Sequence, residues 1–177
     1  DMQIERVEEQ YLSPNQERGV SHLLQVCFEG YPNDRCFFRQ RPDFRLIARE
    51  GDEMIGQTSI EFRHISVADQ RFRIFGIADF CVLPQHRRKG VGLALLEALW
   101  TEARECRIDF LLSFVSDPSF YAHEAFVEVS HPCRWVSISE DQTIGVFHKT
   151  LSGLMVRPVG DASWPEDGVV DLLGHIF

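Results

Sequence analysis

The chain has 177 residues, 44% of them hydrophobic and 14 of them phenylalanine, which suits one globular domain over residues 1–177. Its net charge of −9, with a single dense basic cluster at residues 86–89, argues against nucleic acid as the main partner and favours a cationic one. No apolar run is long enough to span a bilayer and no signal-peptide pattern opens the sequence, so the expected location is cytoplasmic, without a membrane partner.

In chain order, Ile4 and Val7 mark a first strand over residues 3–9. Ser13-Pro14 then reads as a helix N-cap with proline at the first helical position, and Glu17 sits near capping-box distance. Val20, Leu23, Leu24 and Cys27 keep the spacing of an amphipathic helix, which should end near Gly30. Residues 31–42 read as loop or short helix. Phe44 to Arg49 is a strand, residues 50–53 a turn, and Met54 to Val67 a second strand. Its apolar phase slips between Phe62 and Ile65, which predicts a bulge. After a turn at Asp69-Gln70, residues 71–83 return as the third strand of an antiparallel meander.

From Gly90 onward, Val91, Leu95, Ala98, Leu99 and Cys106 form an apolar helical stripe. Phe110 to Val115 is an apolar run interrupted only by Ser113, as in a strand buried on both faces, and a right-handed crossover would set it parallel to the strand ending at Leu83. Asp117-Pro118 caps a short helix, Ser119 to Ala125. Residues 127–139 and 143–151 read as a hairpin about the turn 140–142, and an apolar stretch, residues 172–177, closes the chain. This order is that of an α/β fold on a mixed sheet.

The segment from Val82 to Leu93 carries the chemistry. A strand stops at Pro84, a basic turn punctuated by glycine follows, and then a helix begins. Such a turn aims backbone N–H groups toward the positive end of a helix dipole, which makes a phosphate site. Gly90 and Gly92 leave no Cβ between backbone and ligand, while Arg87, Arg88 and Lys89 add positive charge. The spacing is not that of the nucleotide P-loop, and the first glycine of the dinucleotide fingerprint is missing. Asp79 stands out in the strand before the turn, because Ile74 to Val82 is otherwise apolar on both faces. A carboxylate there must be paired or must face a cavity or ligand. Glu61 and His64, on the preceding strand, read as surface residues and as weaker candidates for the same work. The five cysteines are scattered without a Cys-x-x-Cys pair and no histidines fall at ligand spacing, so reduced thiols and no metal are expected.

The pattern Arg-x-x-Gly-x-Gly, here Arg87, Gly90 and Gly92 with a proline three residues before the arginine, resembles the pyrophosphate loop of the GCN5-related N-acetyltransferases (GNAT). The resemblance covers nearly the whole chain. It implies a mixed, mostly antiparallel central sheet of about seven strands, splayed between strands 4 and 5 and flanked by helices on both faces. It also implies acetyl-coenzyme A as cosubstrate, its pyrophosphate on the backbone of Arg87, Arg88, Lys89, Gly90, Val91 and Gly92. Val82 and Leu83 would hold the pantetheine arm, and a backbone N–H there would hold the oxyanion. Tyr121 precedes Ala125-Phe126 by four residues, where the family has Gly-Phe. It matches the family's tyrosine beside the coenzyme sulfur, which would protonate the departing thiolate. Asp79 lies on a strand where family members keep an acid that takes the amine's proton through water.

Finer resemblances are less specific. Residues 41–84 and the ending Pro158-Val159-Gly160…Trp164-Pro165…Gly168…Asp171…Gly174 are similar to the rhizobial nodulation acyltransferase. The layout closing on an aromatic residue is similar to the aminoglycoside 2′-N-acetyltransferases, which implies acceptor contacts from Asp34 and from the terminal carboxylate of Phe177, with Glu61 as a further acid. The expected function is acetyl transfer to a primary amine of a small cationic molecule by direct attack. The alternatives are a longer-chain acyltransferase acting on an amino-sugar and a non-catalytic acyl-coenzyme A sensor. The family resemblance leaves homodimerisation open, with the 143–151 strand as its edge.

Overall fold

A computed structural model describes residues 1–177 in two units, residues 1–61 with 78–101 and residues 62–77 with 102–177. Strands β3 (Glu53–Val67) and β4 (Gln70–Val82) run through both.

In the first unit, β1 (Met2–Glu8) pairs antiparallel with β2 (Phe44–Glu50), which pairs antiparallel with β3. Helix α1 (Pro14–Cys27) starts at a capping box, in which the Ser13 hydroxyl accepts from the Gln16 amide at 3.1 Å and the Gln16 side chain accepts from the Ser13 amide at 2.8 Å. The partner is therefore Gln16 and not Glu17. The helix also stops three residues earlier than the apolar spacing suggests, at Cys27, and Phe28 closes its last turn with a bond to the Leu24 carbonyl. Val20, Leu23 and Leu24 on its apolar face pack with Ile47, Cys81 and Leu83. After β4 comes a single 3-10 turn, Pro84–His86, and then helix α2 (Val91–Glu105).

Strand β3 carries its bulge in the β2–β3 ladder at Ile55, between the pairs Ala48↔Gly56 and Arg49↔Met54. The phase slip near Phe62 coincides with a change in burial. Ile55 to Glu61 are buried without interruption, and alternation of exposed and buried residues begins only at Phe62. Both faces of β3 are covered up to Glu61, so the apolar period changes there.

In the second unit, β5 (Phe110–Phe114) pairs parallel with β4 from Ile74↔Phe110 to Ile77↔Ser113. Pairing then stops, although β4 continues to Val82. Helix α3 (Ser119–His123) is followed by β6 (Val127–Val129), β7 (Pro132–Ser139), β8 (Gln142–Thr150), β9 (Leu154–Pro158) and β10 (Val170–His175). Strand order here is β4-β5-β9-β6 and β3-β10-β7-β8, and only the β4–β5 and β7–β10 ladders are parallel. The fold is thus the expected mixed, mostly antiparallel one, with ten strands where about seven were expected.

Strand β9 arises where no element was expected and β10 overlaps the apolar ending, while residues 127–139 are two strands instead of one arm of a hairpin. Gly153 explains the entry into β9. Its φ is +80°, and a Cβ there would stand 1.9 Å from the Val115 carbonyl oxygen. Trp164 anchors the connection between β9 and β10 by stacking on Phe72 and meeting Phe110 edge-on, with ring centroids 6.4 and 5.1 Å away. Its indole N–H donates to His131 Nε2 at 3.0 Å, and His131 Nδ1 lies 2.8 Å from the Gly168 carbonyl oxygen. That pattern fixes the imidazole as the tautomer protonated at Nδ1. No helix is long and apolar enough to cross a membrane.

Candidate active site

The turn between β4 and α2 has the makings of an anion site. The first i→i−4 bond of α2 runs from Ala94 to the Gly90 carbonyl at 3.0 Å, so the amides of Val91, Gly92 and Leu93 have no intrahelical acceptor. Arg88 and Gly90 adopt left-handed conformations, with φ of +62° and +83°, and no atom lies within 4 Å of where a Gly90 Cβ would be. Arg87, Arg88 and Lys89 are exposed beside those amides. Amides without an intrahelical acceptor, flanked by exposed cations, fit a pyrophosphate group.

Two backbone positions behave differently from expectation. The Arg87 amide already bonds the Pro84 carbonyl at 3.3 Å, and its side-chain Nε donates to the Val82 carbonyl at 2.9 Å, so Arg87 braces the turn. Leu83 donates its N–H to the Ile55 carbonyl at 2.8 Å and accepts from His86, which leaves no N–H there for a ligand. The unused amides begin after Arg87.

Asp79 is the second feature. It has φ +49° inside a strand, two residues beyond the last β4–β5 pair, a conformation that aspartate tolerates better than most side chains. Tyr31 donates its hydroxyl to Asp79 Oδ2 at 2.9 Å, and the Gln57 side-chain amide donates to the Asp79 carbonyl. Burial raises the carboxyl's pKa, against the Tyr31 hydrogen bond and the Arg45 and Arg39 guanidiniums, which favour the charged form. The Tyr31 phenol is itself pushed up, first by burial and then by the Asp79 charge.

Behind Gln57 stands a polar cluster that sequence inspection did not single out. Arg45 is 0% exposed and places all five guanidinium N–H bonds. Nε and Nη2 reach the two Glu9 carboxylate oxygens at 2.7 and 3.0 Å, and Nη2 also reaches the Cys36 carbonyl at 2.8 Å. Nη1 reaches Gln57 Oε1 at 3.2 Å and Ser59 Oγ at 3.1 Å. A run of side chains therefore leads from Glu9 through Arg45 and Gln57 to the backbone of Asp79. The available signal was the same one that marks Asp79, a charge inside the apolar strand Phe44 to Ala48.

Glu61 is not a surface residue. It is 7% exposed, and its charge adds to the upward shift of Asp79. His64 is exposed as expected. Asp34 is exposed on the loop after α1, where it lines a cavity of about 350 Å³ together with Glu17, Arg18, Arg35 and Arg41. Three guanidiniums on those walls make it a poor lone receptor for a cation.

In the second unit Tyr121 is 5% exposed on α3, edge-on to Phe120 and Phe126 at 5.4 and 5.0 Å. Ala125, where the resembled family has glycine, has φ +65°, a left-handed conformation that favours glycine. Phe177 lies flat against Gly76, where a Cβ would come within 2.7 Å of its ring, and its centroid is 5.6 Å from that of Phe114. Arg63 holds the end of the chain by lying 5.1 Å over the Phe177 ring and bonding the His175 carbonyl.

The family model of the acetyltransferase (GNAT) domain matches residues 10–126, more than half of the chain. The chain belongs to the GNAT acetyltransferase family. No curated protein is significantly similar to this GNAT chain in sequence. Among solved structures, it is similar to the GNAT family N-acetyltransferase YhbS from Escherichia coli in complex with CoA, with a TM-score of 0.62 at 17% identity over 97% of this chain and 88% of that one. A GNAT family acetyltransferase from Brucella melitensis in complex with acetyl-CoA gives 0.62 at 14% identity over 96% and 94%. Eis1 from Mycobacterium abscessus gives 0.61 at 17% identity, with 76% of this chain matched to 33% of Eis1. The chain thus spans a third of Eis1's length, and at these identities the likeness is one of fold.

Proposed function

We propose that the 177 residues act as one acyltransferase domain that moves an acetyl group from acetyl-coenzyme A to a primary amine of a small molecule. The observation that carries this reading is the α2 N-terminus, with its unpaired amides, left-handed Gly90 and flanking cations. Acetyl-coenzyme A supplies an acyl thioester when bound. The amides after Arg87 bind and neutralise its pyrophosphate, and Val82 orients the acyl end through its backbone. Asp79 accepts the proton of the attacking amine, directly or through water, and Tyr121 donates one to the leaving sulfur. Most of the acceleration comes from holding donor and acceptor together.

The acceptor is an ammonium ion in water and must lose a proton before it can attack, which suits the half-buried acid Asp79 and the buried Glu61. The net charge of −9 draws such a cation toward the surface. Asp34 and Phe177 are proposed to touch the acceptor further from the reacting nitrogen. Mixing the protein with acetyl-coenzyme A and a panel of small cationic amines, and resolving free coenzyme A by chromatography, tests the reading. Amine-dependent coenzyme A formation that Tyr121→Phe slows is the expected result. Coenzyme binding with no turnover on any amine would overturn it in favour of a sensor.

A further inference from the structure

Residues 35–41 carry Arg35, Arg39 and Arg41 and no acid, in a chain whose net charge is −9. Arg35 and Arg41 share the Phe37 ring, with guanidinium carbons 4.6 and 5.0 Å from its centroid. Both line the cavity of about 350 Å³ walled by α1 and the loop after it. Arg18 reaches the same cavity from α1, where it donates to the neutral Asn15 side chain. The acids on these walls are Asp34 and Glu17, the latter bound by Arg41 at 3.1 Å. Three guanidiniums thus face two carboxylates, an excess of positive charge. We infer that this cavity binds an anionic group, a carboxylate or a phosphate, carried by the acceptor whose amine meets Asp79. Its place on the acceptor rests on the acetyl-transfer reading; the anion site itself does not.

Two routes join this loop to Asp79. The first runs through rings. Tyr31, which donates to Asp79 Oδ2 at 2.9 Å, meets Phe38 edge-on at 5.9 Å, and Arg39 lies 4.8 Å over Phe38. The second runs through polar groups. Cys36, on the cavity wall, accepts from Arg45 at its carbonyl at 2.8 Å, Arg45 donates to Gln57 at 3.2 Å, and Gln57 donates to the Asp79 carbonyl. One guanidinium and one side-chain amide therefore separate the cavity wall from the backbone of Asp79. That span suits a small acceptor with its amine at the carboxylate and its anion at the arginines. A planar N–H fork matches the paired oxygens of a carboxylate and of a phosphate alike. Anchoring the anion would fix the direction from which the amine approaches.

The site is tested without coenzyme. Arginine side-chain Nε–Hε signals of the full chain are followed by NMR during titration with sodium acetate and with sodium phosphate, against sodium chloride of equal ionic strength. Arg18→Gln and Arg35→Gln assign two of the signals, and thermal unfolding establishes that both variants fold. The Arg18 and Arg35 signals should move with acetate or phosphate and not with chloride, and the tighter of the two identifies the anion. No movement beyond the chloride control, or movement confined to Arg87 and Arg88 at the α2 turn, would overturn the proposal. The acceptor role is tested with acetyl-coenzyme A and matched amines, β-alanine against propylamine and 2-aminoethyl phosphate against ethylamine. The anionic member of at least one pair should have a kcat/KM roughly ten- to a hundredfold higher, mostly through KM. Arg18→Gln combined with Arg35→Gln should erase that difference. Equal turnover within both pairs would overturn the acceptor role. Arginine signals that move in a protein with no turnover on any amine would uphold the anion site and reject the acetyl-transfer reading instead.

Discussion

Replacing Glu9 by alanine is expected to cost about 3–5 kcal/mol of folding stability, because it leaves a fully buried guanidinium without its counter-ion. Arg45 has no solvent to fall back on, and two of its five N–H bonds end on Glu9 oxygens. Loss of those acceptors removes both the charge balance and the geometric fork. Its remaining partners, Gln57, Ser59 and the Cys36 carbonyl, are neutral acceptors that cannot supply that balance. Urea unfolding of Glu9→Ala measures the loss directly. The double variant Glu9→Ala with Arg45→Met should recover most of it, since an apolar replacement carries no buried charge to compensate. A Glu9→Ala loss below about 1 kcal/mol would place the pair in the class of weak surface bridges and contradict the burial of Arg45.

Asp79→Asn is expected to separate activity from stability. If Asp79 accepts the amine's proton, the amide cannot, and kcat should fall by about 10²–10⁴-fold. Stability should move the other way. The folded carboxyl has a raised pKa, so its proton is held more tightly in the folded state than in the unfolded chain. That contribution to stability is fully present below the unfolded pKa and is lost as pH rises through the folded one. Once ionised, the folded carboxylate therefore weighs against the fold, and the neutral amide does not. Asparagine also tolerates the +49° φ and can accept from Tyr31. The Asp79→Asn variant should unfold at the same temperature or higher while turning over far more slowly. The acidic limb of the kcat/KM profile should lie above the ordinary carboxylate range. Tyr31→Phe should move that limb to still higher pH, because the lost hydrogen bond was favouring the ionised form. Full activity in Asp79→Asn would assign the proton to another acceptor, and a large loss of stability would make Asp79 a structural group.

How far the sequence could be read depended on the range of the interaction involved. The β4–turn–α2 segment was legible because its signals are local, as glycine, proline and charge set the conformation of their own few residues. The parallel β4–β5 pair was legible for a similar reason, since an apolar strand after a helix has one favoured handedness of return. Asp79 was marked by contrast with its apolar strand, but its partner Tyr31 is 48 residues away in a loop without periodicity. Glu61 was misplaced because alternation cannot reveal that both faces of β3 are covered up to that residue. The strands β9 and β10 were missed for a topological reason. β10 pairs with β3 near Val67 and with β7 near Cys133, contacts that leave no mark on the spacing of residues 170–175. Arg45 carried the same local signal as Asp79, and only the structure shows that Glu9, 36 positions earlier, answers it.

The most direct measurement is thermal unfolding with and without acetyl-coenzyme A, on the unsubstituted protein and on Gly90→Glu. A ligand at a hundred times its dissociation constant stabilises by about 2.7 kcal/mol, a shift of several degrees for a domain of this size. Gly90 has φ +83° beside the unpaired α2 amides, so glutamate there strains the turn and sets a negative charge where the pyrophosphate would bind. A shift in the unsubstituted protein that Gly90→Glu abolishes is the predicted result. No shift at millimolar acetyl-coenzyme A, or an equal shift in both proteins, would contradict a donor site at the start of α2.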